Sequence, residues 1–120
     1  MSIRVELHEL RKVAAQQAPF AYLLTVSDDA TAHAVAITPG IGDTTITFDA
    51  GNRSCANATA RPNVSLLWPP ARPDDYSLIV DGRAAVEGST IVITPERAVR
   101  HRPAPGGGSD CAPVALGSGG

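Results

Sequence analysis

The chain has 120 residues, enough for one domain with a modest core but not for two. Hydrophobic residues make up 43% and charged residues 18%, a balance that fits a globular protein better than a disordered one; the net charge of −2, with basic residues scattered singly, excludes a nucleic-acid-binding stripe. No apolar run approaches the roughly 20 residues of a membrane span and no signal-peptide core opens the chain, so a cytoplasmic location is expected, with Cys55 and Cys111 as reduced thiols.

Taken in order, Met1 to Gln17 predicts an amphipathic helix: Leu7, Leu10, Val13 and Ala14 share a face, and Ser2 is the expected N-cap. Phe20–Ser27 and Ala32–Thr38 predict two strands joined as a hairpin by Asp28-Asp29-Ala30. In the second strand His33, Val35 and Ile37 point one way and Ala32, Ala34 and Ala36 the other. A row of alanines lets something flat approach the backbone, either a ring system or a neighbouring helix. His33 reads as a rim residue, and no second His or Cys stands at metal-ligand spacing, so no metal site is expected.

The stretch Thr44–Pro70 organises the chain. Ile46 and Phe48 face one side of a strand that Ala50-Gly51-Asn52 breaks, with Asn52 the expected N-cap of a short helix from Arg53 to Ala60. Arg61-Pro62-Asn63 ends that helix, because a residue before proline is pushed out of the helical region. The helix start, with unpaired N–H groups, Arg53 and Ser54, can hold an anion, or Arg53 can simply be solvated. Val64–Trp68 is the next strand, whose Trp68 either closes the rim or covers a ligand. Tyr76–Glu87 follows as one long strand bent at Asp81-Gly82, then Thr90–Thr94. Thr94-Pro95-Glu96 predicts a final helix, Thr as N-cap and Pro at its first position, with Arg97, Arg100 and Arg102 toward its C-terminus. From Pro103 the Gly- and Pro-rich segment 103–120 cannot bury a core; it is expected to be mobile or ordered only on a partner, with Cys111 an exposed thiol.

Six strands, one helix between the third and fourth, and helices at both ends predict a mainly β, antiparallel domain over residues 1–102, closed into a small barrel that removes its edges. The succession AYLLTVSDDATAHAVAIT, TITFDAG, NRSCANATARPNVSLLW and YSLIVDGRAAVEG resembles the FMN-binding split-barrel superfamily, which includes the pyridoxamine 5′-phosphate oxidase-like proteins and the flavin- or deazaflavin (F420)-dependent oxidoreductases. The resemblance covers about Phe20 to Arg102. Its most specific parts are Asn57…Arg61-Pro62-Asn63-Val64-Ser65 and Val80-Asp81-Gly82-Arg83-Ala84.

The resemblance implies a six-stranded split barrel and a homodimer with its cofactor sites, for FMN or F420, at the subunit interface. It further implies that Ala34, Val35, Ala36 and Thr38 lie along the ring, that Arg53, Ser54 and Asn57 lie near the phosphate, and that Asp49 and Trp68 are nearby. Family members usually carry a Ser-Arg-Lys type sequence where this chain has Asn52-Arg53-Ser54. Losing the ammonium removes a charge-assisted contact commonly worth about 1.5–3 kcal/mol, unless Arg61 or an arginine of the second subunit compensates. The functions implied are a cofactor-dependent oxidoreductase acting on a small molecule, a non-catalytic protein that binds or stores a flat ligand, or a member that has lost its cofactor. No counterpart of the substrate-binding C-terminal segment of the true oxidases is found, so pyridoxamine phosphate is not the expected substrate.

Overall fold

The computed structural model describes residues 1–104; the expectations for the tail from residue 105, Cys111 among them, lie outside the described residues. The domain is mainly β and antiparallel, as predicted, but with eight strands among the described residues, in one curled sheet, rather than six. In chain order these are β1 (Ser2–Val5), β2 (Ala21–Val26), β3 (Ala32–Ile37), β4 (Gly40–Ile41), β5 (Ile46–Asp49), β6 (Asn63–Trp68), β7 (Ser77–Glu87) and β8 (Thr90–His101). A 3-10 turn (Leu7–Glu9) and helix α1 (Leu10–Ala14) follow β1, and helix α2 (Asn52–Ala60) joins β5 to β6. The strand order is β3-β2-β6-β7-β8-β5-β4, with β1 added beside β8. No ladder joins β3 to β4 among the described residues, so the barrel is split.

Alternation builds the core. Leu23, Leu66, Leu78, Val80, Ile46, Ile91 and Ile93 point to the concave side and are fully buried. Leu10 and Ala14 of α1 and Ala58 of α2 close this core at its ends. Residues paired across ladders share a face, so Tyr22, Ala36, Leu67 and Ile79 lie together on the convex side, beside Leu24, Ala34 and Val26. That convex side is exposed or half-buried throughout these positions.

Two predicted helices are corrected. Ser2–Val5 is a strand whose residues pair with Ala98–His101, and Ser2 Oγ lies 3.0 Å from His101 Nδ1 instead of capping a helix. Period-two spacing of Ile3 and Val5 outweighs the helical spacing there, which takes over only from Leu7. At the other end Thr94-Pro95-Glu96 opens no helix. The strand β8 runs through Pro95 to His101, so Arg97, Arg100 and Arg102 do not decorate a helix terminus. The predicted bend at Asp81-Gly82 explains why proline is tolerated: Asp81 pairs with Arg97 and Gly82 with Pro95, leaving Glu96 as the extra residue of a bulge. A Cβ on Gly82 would stand 2.7 Å from both Ile93 Cγ2 and the Thr94 carbonyl oxygen, so the close approach requires glycine. Among the described residues no helix is long and apolar enough to cross a membrane.

Candidate functional site

The organising stretch delivers its helix to the open edge of the sheet. β5 ends at Asp49, Ala50 N–H donates to the Ser89 carbonyl in the β7–β8 turn (2.9 Å), and α2 begins beside the free edge of β3. Between them lies an open groove of about 600 Å³ lined by residues of β3, of the β5–α2 junction, and by Ser89. Gly51, not Asn52, is the N-cap, and no side chain caps the helix. The first intrahelical bond runs from Cys55 N–H to the Gly51 carbonyl (3.0 Å), which leaves the N–H groups of Asn52, Arg53 and Ser54 without helical acceptors. These unpaired donors and the helix dipole give that end of the groove a partial positive charge.

Side-chain chemistry in the groove is sparse. Arg53 is exposed and makes no ion pair among the described residues. Its field still reaches Asp29, whose carboxyl is held below its ordinary value mainly by hydrogen bonds from Thr31 and more weakly by Arg53. Asp49 Oδ1 accepts a hydrogen bond from Thr90 Oγ1 (2.8 Å). Ser54 is 2% exposed and forms part of the groove floor, so its side chain does not reach outward as a lysine would. His33 also lines the groove, with its Nδ1 buried and lacking a hydrogen-bond partner.

Of the residues singled out from sequence, Val35, Ala36, Asp49, Arg53 and Ser54 meet at this groove. Ala34 faces the opposite, convex side, and Thr38 lies exposed beyond the end of β3. Asn57 is buried under α2, donating from Nδ2 to Thr25 Oγ1 (3.1 Å) and Ser27 Oγ (3.4 Å). Trp68 is 3% exposed within the core. Arg61 is committed elsewhere: its guanidinium donates to the Val26 carbonyl and Asp28 Oδ1, both at 2.7 Å, and ties down the β2–β3 turn. It therefore supplies no second cation to the groove. Sequence reasoning missed Ser89, which only the β7–β8 turn brings there. It also passed over His33, although its shared face with Val35 was a usable signal.

A second cleft, of about 680 Å³, lies between α1 and the β4–β5 hairpin, with Leu7, Leu10, Ile41 and Ile46 in its wall. Its Arg11 is engaged by Asp43 (3.2 Å) and the Ile41 carbonyl, while Lys12 lines it without an ion pair among the described residues.

No protein-family model matches the chain. Uncharacterized proteins of Mycobacterium bovis and Mycobacterium tuberculosis are each 38% identical to it, with 72% of this chain and 72% of each relative covered. The chain belongs to their family. Among solved structures it superposes on a Listeria innocua protein assigned as a pyridoxamine 5′-phosphate oxidase, with a TM-score of 0.63 at 20% identity over 79% of this chain and 98% of the other. An F420 reductase follows with a TM-score of 0.60 at 16% identity, over 78% and 97% of the two chains. A FAD-binding protein of Mesorhizobium loti gives 0.61 at 14% identity, over 83% and 95%. These neighbours identify the fold as the split barrel of pyridoxamine 5′-phosphate oxidase-like and flavin- or F420-binding proteins.

Proposed function

We propose that the chain is an oxidoreductase that holds a flavin or deazaflavin, FMN or F420, in the β3–α2 groove and lets that ring exchange hydride with a small molecule. The observation that carries this reading is the unpaired Arg53 beside an uncapped helix N-terminus, at the foot of a strand edge made of Val35 and Ala36. The residues fit such a group. Arg53 and the helix N–H groups suit a phosphate, the β3 edge at Val35 and Ala36 offers a flat ring a strand to lie along, and the orphaned Nδ1 of His33 marks a polar contact not yet made. Hydride chemistry would reside in the bound ring, and the protein's part is to bind, orient and exclude water.

The same proposal makes the active form a homodimer. The convex face of β2, β3, β6 and β7 presents Tyr22, Leu24, Val26, Leu67 and Ile79 around the alanine row, and Tyr22 and Val26 are each 39% exposed. An apolar face of this kind favours burial against a second copy, which would also wall the open side of the groove.

A non-catalytic binding protein is the second reading. It is favoured by the sparse side-chain chemistry of the groove, where the carboxylate of Asp49 is already engaged by Thr90. The test is a fluorescence titration of the full chain with FMN and with F420, followed by oxidation of the reduced cofactor by a quinone. Saturable binding with accelerated oxidation supports the enzyme, binding without acceleration supports the second reading, and no binding of either cofactor removes both.

A further inference from the structure

We infer that the cleft between α1 and the β4–β5 hairpin is a second ligand site, and that its ligand is a single-chain aliphatic carboxylate. The inference does not rest on the ring site. The proposed dimer covers the convex face of β2, β3, β6 and β7, and none of these strands lends a residue to this cleft.

Local sequence explains the opening. β4 is only two residues long, and the chain turns back at once through Gly42, whose N–H donates to the Thr45 carbonyl (2.8 Å). Pro95, at the β8 bulge, contributes to the opposite side. α1 lies across the gap, and Arg11 ties it to the hairpin: Nε donates to the Ile41 carbonyl and a terminal nitrogen to Asp43 Oδ1, each over 3.2 Å. The two walls are thus fastened to each other by protein groups alone. The space between them, about 680 Å³, falls within the roughly 300–1,000 Å³ typical of small-molecule sites.

Two kinds of chemistry meet there. Leu7, Ile41 and Pro95 supply apolar surface, backed by the buried Leu10 and Ile46, and Leu7 is left 43% exposed. Lys12 lines the same cleft with no ion pair among the described residues, whereas Arg11 is matched by Asp43. Glu6 and Glu9, on the same segment, do not line it. An apolar slot with one unmatched cation suits a hydrocarbon body that ends in one negative charge.

Larger partners fit less well. A peptide added as a strand needs an unpaired edge of several residues, and β4 offers two. An anionic membrane calls for a cluster of about four to eight cations. Here Glu6 and Glu9 adjoin Arg11 and Lys12 in the chain and would repel such a surface.

The test titrates the full-length protein calorimetrically with octanoate, decanoate and dodecanoate, each below its micellar concentration. Saturable binding is expected, tightening roughly twofold to fourfold per added methylene until the cleft is filled. Decyltrimethylammonium should bind more weakly than decanoate. Lys12→Gln should weaken decanoate about twofold to fivefold and leave decanol unchanged, and Lys12→Arg should restore the acid. Leu7→Gln should weaken acid and alcohol alike. Both positions are exposed, so neither change disturbs the core. The absence of saturable binding by any of the acids would overturn the inference, as would equal affinity for the cation or an acid affinity indifferent to Lys12 or to Leu7. Association with anionic phospholipid vesicles but not with monomeric acid would also overturn it. The ring site is read separately, by its own cofactor titrations, and stands or falls apart from these outcomes.

Discussion

Asn57 donates from its side-chain amide to Thr25 Oγ1 over 3.1 Å, and both residues are almost completely buried where α2 lies against β2. The same nitrogen reaches Ser27 Oγ at 3.4 Å. A polar knot in this place fixes the helix against the strand that carries the β2–β3 hairpin, and so fixes one wall of the groove relative to the other. Asn57→Ala should lower unfolding stability by about 1–3 kcal/mol, because it leaves a gap and two hydroxyls deprived of their donor. Urea denaturation checks this; a change below about 0.5 kcal/mol would mean that water replaces the amide at little cost.

Arg53→Ala should behave in the opposite way. The side chain is exposed and unpaired, so stability should change by less than about 0.5 kcal/mol, while cofactor binding should weaken roughly ten- to a hundredfold. Parallel thermal melts and fluorescence titrations separate the two effects. Unchanged affinity would remove Arg53 from the site.

Gly82→Ala tests the bulge. Its new methyl would meet Ile93 Cγ2 and the Thr94 carbonyl at 2.7 Å, and one of these neighbours is backbone. The expected loss is about 1–3 kcal/mol, typical of overpacking. It should appear as a lower denaturation midpoint with an unchanged slope.

The convex face is tested by Leu67→Asp, at a half-buried position that the sheet does not need for its core. Sedimentation should show the wild-type chain as a dimer and the variant as a folded monomer. A wild-type monomer at micromolar concentration would remove the homodimer from the proposal.

Asp29 gives a dependence on pH. Its folded pKa lies below the ordinary 3.8, so its contribution is present above that value and is lost as pH falls through the folded pKa. The melting-temperature difference between wild type and Asp29→Ala should be constant well above 3.8 and should shrink as pH falls below that value. A difference that stays constant across this range would show that the turn gains nothing from the charge.

The central part of this architecture was legible because its signals are local. Alternation placed β2, β3, β5 and β6, Gly51 and Pro62 bracketed α2, and Gly82 announced a bulge. The two ends were misread for one shared reason. Ser2–Val5 and Arg97–His101 are strands because they pair with each other and with β7, and no window of neighbouring residues contains that information. Pro95 looks like the first residue of a helix only while its partner Gly82 is unknown. In the site, Arg53 and Asp49 could be read from their place beside the strand–helix junction. Asn57 could not: an amide in a short alanine-rich helix gives no hint whether it meets ligand or Thr25, and only the packing of α2 on β2 decides.

β8 serves as the spine of the sheet, pairing with β7 along its length, with β5 through its first residues and with β1 through its last. Such a strand has a temporal consequence. Ser2 finds its ladder partner in His101, so β1, made before the other described strands, cannot pair until the last of them is complete. Until the end of β8 has been synthesised, the nascent chain carries β1 unmatched and an exposed β7 edge, an interval in which the protein depends on its surroundings to stay unaggregated.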